Sequence, residues 1–81
     1  MDKQMWSKPV TFETGNARFR TITNTDEASL FLLHHWPVQG GEMHLEARKV
    51  CIAVLAGERP LDDARTAFIN AAREAAIFVK A

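Results

Sequence analysis

The sequence predicts an α+β fold: an N-terminal β-hairpin followed by three helices, with a short third strand available at the C-terminus. Three observations predict it. Alternating apolar and polar residues flank a Gly15-Asn16 pair. Three later stretches repeat their apolar residues at intervals of three and four. Gly, Pro and Asn stand at the joints between them.

The hairpin is expected over Val10 to Ile22, because Gly15-Asn16 is a two-residue turn pair with Gly where a type II′ turn needs positive φ. Pairing Thr14 with Ala17 then sets Phe12 opposite Phe19 and Val10 opposite Thr21 on an apolar face. Glu13 and Arg18, with Thr11 and Arg20, fall on the other. Pro9 suits a strand start, where a missing N–H does little harm.

Asn24 followed by Glu27 resembles a capping box, and Asp26 adds negative charge to the same first turn. The helix that begins there carries Ala28, Phe31, Leu32 and His35 on one stripe, flanked by Trp36, and should end at Trp36-Pro37. Val38-Gln39-Gly40-Gly41 reads as a loop. A second helix is expected over Glu42 to Ala56, with Gly57 as its left-handed cap. It is apolar on both sides. Met43, Ala47, Val50 and Val54, with Cys51 and Leu55 on the shoulder, form one stripe; Leu45, Ile52 and Ala56 lie opposite. A helix of that kind is central or lies at an interface. Pro60 and Asp62-Asp63 open a third helix whose stripe is Leu61, Ala64, Phe68, Ala71, Ala72 and Ala75. Ile77-Phe78-Val79 has β-type composition and could join the hairpin.

Eighty-one residues, 47% hydrophobic and 25% charged, make one domain over 1–81 with a small core. Ten Lys and Arg balance ten Asp and Glu, so there is no positive field to draw the chain to phosphate backbones or anionic lipid. Cys51 is the single cysteine, which leaves no intrachain disulfide. Met1 to Trp6 lacks the apolar core of a signal peptide, and the longest apolar run, Val50 to Ala56, is too short to span a bilayer. Cytoplasmic residence without membrane contact is the expectation.

Taken in order, Trp6-x-x-Pro9-Val10, the hairpin, Glu27-Ala28, Leu32, Trp36-Pro37, Ala47, Cys51, Gly57, Ala64-Arg65-x-Ala67-Phe68 and Ala71-Ala72-x-Glu74-Ala75 resemble the bacterial family called domain of unknown function 982. The resemblance covers nearly the whole chain. It implies the extent of the domain and carries over no activity, cofactor or catalytic residue.

His34, His35, His44 and Cys51 are the residue types that bind zinc, but neighbouring histidines on a helix project about 100° apart and Cys51 has no second thiolate near it. His44 and Cys51 do share a side of the second helix. His35, on the core stripe, is the histidine that burial would affect most. Cys51 sits mid-helix among apolar neighbours, as a buried hydrophobe does and an activated nucleophile does not. Glu42, Glu46 and Asp62-Asp63 fit the helix macrodipole. The second and third helices and their short turn have helix-turn-helix proportions, yet Asp62 and Asp63 would face the phosphates, and Lys8, Arg18 and Arg20 make only a thin basic face.

No metal or cofactor is therefore expected. The function expected is an interaction or ligand-binding module, with Leu45, Ile52 and Ala56 as the interface to a second copy or a protein partner. His35, His44 and Cys51 are the side chains to watch for an alternative, a small enzyme assembling histidine and carboxylate groups in space. A weak nucleic-acid-binding regulator is the other alternative, disfavoured by charge.

Overall fold

Turn chemistry sets the hairpin, and the hairpin sets the sheet. The computed structural model describes residues 4–37 and 41–80. The Val38-Gln39-Gly40 part of the expected loop and the first three residues of the leader reading lie outside the described residues. Strands β1 (Met5–Gly15) and β2 (Arg18–Asn24) precede helices α1 (Thr25–His34), α2 (Glu42–Leu55) and α3 (Leu61–Glu74), and β3 (Val79–Lys80) closes the order. The expected α+β architecture is present, third strand included. The sheet runs β2-β1-β3, with both pairings antiparallel.

The register differs by one residue from the sequence expectation. Val10 pairs with Ile22, Phe12 with Arg20 and Glu13 with Phe19. The turn residues are Asn16 and Ala17, both at positive φ (50° and 59°), the signature of a type I′ turn, whose twist matches that of the flanking strands. A register irregularity between Glu13 and Gly15 absorbs the extra residue. Because side chains alternate with period two, the slip moves Ile22 into the core, fully buried, and turns Phe19 outward, 54% exposed. On the outer face the hydroxyls of Thr11 and Thr21 meet at 2.8 Å.

The α1 cap forms as the sequence implies. Asn24 Oδ1 accepts from the Glu27 N–H at 3.0 Å, and Glu27 Oε1 accepts from the Thr23 N–H at 3.1 Å. The return bond thus lands one residue earlier than in the usual capping box. At the other end the helix stops sooner than Trp36. His35 leaves helical geometry (φ −132°, ψ 11°), so it abandons the core stripe and is exposed, against expectation. Half-buried Trp36 takes the packing position, against Phe31, Phe68 and His44.

α1 and α3 lie on the sheet, and α2 packs on those two helices. Phe12, Phe31 and Phe68 interlock at the centre, with ring centroids 4.8 Å and 5.2 Å from Phe12. Around them Val10, Ile22, Leu32 and Cys51 are fully buried or nearly so. The N-terminal half of β1 is fixed by α3: Asp62 accepts from the Ser7 N–H at 3.0 Å, and Arg65 Nε donates to the Lys8 carbonyl at 3.0 Å. Hydrogen bonding from the Ser7 side chain and backbone holds the Asp62 carboxyl below its ordinary range.

Candidate interaction surface

α2 lacks a side-chain cap of its own, because Gly41 stands at its N-cap. Glu74, at the last turn of α3, supplies one instead. Its carboxylate accepts from the N–H of Met43 at 3.1 Å and of His44 at 3.2 Å, satisfying donors that a helix start leaves open. Gly41 has φ 121°, and a Cβ there would run into that carboxylate, so the position requires glycine on both counts. At its other end α2 closes through Gly57 at φ 78°, with the Glu58 N–H donating to the Ala53 carbonyl at 2.8 Å, a Schellman motif.

The inner face of the helix so fixed comprises His44, Ala47, Val50, Cys51 and Val54. His44 Nε2 donates to the Leu32 carbonyl at 2.9 Å, which satisfies one of the open acceptors at the end of α1. That bond requires a proton on Nε2. Burial pushes the Cys51 thiol up to about 11, because the thiolate would lose its hydration. His35 lies elsewhere, on the rim of a cleft beneath the hairpin tip. Among the described residues, no three of His, Cys, Asp and Glu are grouped to hold a metal ion.

The outer face of α2 is apolar as well. Leu45, Ile52 and Leu55 are each at least half exposed, Ile52 most at 66%, and Ala56 is exposed beside them. Two α1 side chains that the sequence pattern did not single out, Leu30 and Leu33, are exposed to the same degree. Both sets stand on the outward faces of two neighbouring helices, with Leu30 directed away from the core and Leu33 nearer α2. β2 occupies the Glu27 and Phe31 side of α1, through the Thr23 bond and the Arg20 guanidinium 5.4 Å from the Phe31 ring. α2 occupies the Leu32 side, toward which Leu33 turns. On α2, Met43, Glu46 and Val50 look toward α3, which leaves the His44 and Leu55 side for α1. The charged residues along this outer surface include Asp26 on α1 and Glu42, Arg48 and Lys49 on α2, all exposed. The C-terminal segment does not cover this surface, because β3 pairs with β1 at Thr11 and Phe12.

The start of α3, the other end of the helix-turn-helix reading, is occupied by its own contacts. Asp62 holds Ser7, and Asp63 accepts from Arg59 Nε at 3.0 Å. No helix among the described residues is long and apolar enough to cross a membrane.

A family model described as "Protein of unknown function (DUF982)" matches residues 8–79. No curated protein matches the chain, and no solved structure does.

Proposed function

The chain belongs to the DUF982 family of proteins of unknown function, and from that premise we propose that it works as a single-domain interaction module, pairing with a second copy through the outer faces of α1 and α2. One observation carries the reading: Leu30, Leu33, Leu45, Ile52 and Leu55, all half exposed or more, stand on the outward faces of two neighbouring helices. Scattered exposed leucines need no explanation, but a run of them on neighbouring helix faces marks an interaction site.

The occupant is a second copy because this surface carries both signs of charge. A two-fold pairing sets the same patch against itself, and Asp26 of one copy can then meet Arg48 or Lys49 of the other. Each aliphatic side chain has about half its surface left to bury and contributes on the order of 1 kcal/mol. Set against the cost of association, that gives a concentration-dependent dimer and not an obligate one. The lone thiol of Cys51, with no disulfide partner in the chain, fits a reducing, cytoplasmic setting.

Sedimentation equilibrium of wild type and Ile52→Glu tests the reading. Wild type should show a monomer–dimer equilibrium in the micromolar range, and the variant should remain folded and monomeric. A wild-type monomer at high micromolar concentration would refute the pairing, and so would a variant that dimerises as wild type does.

A further inference from the structure

The inner face of β2 reads Arg18, Arg20, Ile22. Ile22 reaches the core; the two arginines carry the same face past it, toward the hairpin tip. Beneath them opens a cleft of about 470 Å³, floored by Phe31, walled by Pro37 and Ile77, with His35 and Glu13 on its rim. That size falls within the range of small-molecule sites. The Arg20 guanidinium lies 5.4 Å from the Phe31 ring centroid, and this cation–π contact holds it over the floor. Among the described residues neither Arg18 nor Arg20 enters an ion pair, the only such pair being Arg59 with Asp63.

We propose that this cleft binds a small organic monocarboxylate. Its carboxylate engages the guanidinium groups of Arg18 and Arg20, and its flat or aliphatic body lies against Pro37 and Ile77, beside the stacked Phe31 and Arg20. A guanidinium fork matches a carboxylate in two parallel bonds, and the apolar wall gives an attached carbon body somewhere to go. Two arginines against Glu13 leave one net positive charge, which suits a monoanion and disfavours a phosphate dianion or a polyanionic backbone. None of the cleft residues belongs to the proposed pairing face on α1 and α2.

Protein labelled with ¹⁵N-arginine, titrated with 3-phenylpropionate, 3-phenylpropanol and inorganic phosphate, tests the proposal. The expected result is saturable movement of the Arg18 and Arg20 side-chain signals with phenylpropionate, and binding at least about tenfold weaker for the alcohol and for phosphate. Arg20→Gln should weaken phenylpropionate about tenfold or more, and Arg20→Lys, which keeps the charge without the fork, should recover only part of that. A dispersed amide spectrum shows that each variant is folded. Equal binding of the alcohol, equal binding of phosphate, or unaltered binding by Arg20→Gln would each overturn the proposal, as would no saturable shift at about 10 mM ligand.

Discussion

The two faces of α2 carry similar side chains to opposite ends. His44, Ala47, Cys51 and Val54 are closed in by α1 and α3, while Leu45, Ile52 and Leu55, a few residues away on the same helix, stand in the open. The sheet repeats the contrast between Phe12, fully buried, and Phe19, more than half exposed. Layer order accounts for the first case: α1 and α3 lie on the sheet, and α2 rests on them as the outermost of the described elements. Apolar composition alone therefore does not locate a core. What decides is which elements the topology leaves to cover a face.

The sharpest way to break this contrast is in the sheet. Phe12→Ala should lower stability by about 3–5 kcal/mol in chemical denaturation, since the ring is fully buried between Phe31 and Phe68. Phe19→Ala should cost no more than about 1 kcal/mol, because its main partner is the equally exposed Phe78, 6.4 Å away. Equal losses would mean that the register is the one the Gly15-Asn16 pair suggests.

A second effect belongs to the inner face of α2. The Cys51 thiol titrates near 11 in the fold against an ordinary 9.0. The unfolded chain thus loses that proton first as pH rises. The stability Cys51 contributes is complete below about pH 9 and falls away between the two values, by roughly 2–3 kcal/mol. Denaturation of wild type and Cys51→Ala at pH 8 and 11 should show this slope in wild type only. A parallel fall in both would place its origin elsewhere.

The next effect is at the start of α2, where Glu74→Ala should cost about 0.5–2 kcal/mol by freeing the Met43 and His44 N–H groups. An unchanged denaturation midpoint would show that water replaces this cap without loss. The smallest effect separates two helix ends. α2 and α3 both close with a Schellman pattern, but α2 has Gly57 in the left-handed position and α3 has Ala76, at φ 59°. Ala76→Gly should raise the midpoint, by about 1 kcal/mol in stability; a loss would show that the Ala76 methyl contributes packing beyond its strain.

Much of this was legible in the sequence because it is local. The Asn24 cap, the Gly57 terminus, most of the buried stripes of α2 and α3 and the outward Leu45 and Ile52 follow from periodicity and capping within one or two turns, but Leu55, expected on the shoulder of the buried α2 stripe, is half exposed. The strand register was not, since Ala17 in a left-handed conformation is a choice no local rule favours. Periodicity puts His35 on the core stripe, but the helix stops one residue before it. The bonds that join distant segments, Glu74 to α2, Asp62 to Ser7 and Arg65 to Lys8, span from 30 to 57 residues and leave no periodic trace. Leu30 and Leu33 stand three residues apart off the core stripe, but their exposure in the fold, and not the spacing, places them on the candidate surface.

The most direct test of the pairing claim is a methyl NMR dilution series on the unmodified chain. If the outer faces of α1 and α2 meet a second copy, the methyl signals of Leu30, Leu33, Leu45, Ile52 and Leu55 should move together with concentration, tracing one binding curve, while those of buried Val10, Leu32 and Val54 stay still. Signals that do not respond from low to high micromolar concentration, or shifts confined to the hairpin around Phe19 and Phe78, would contradict it.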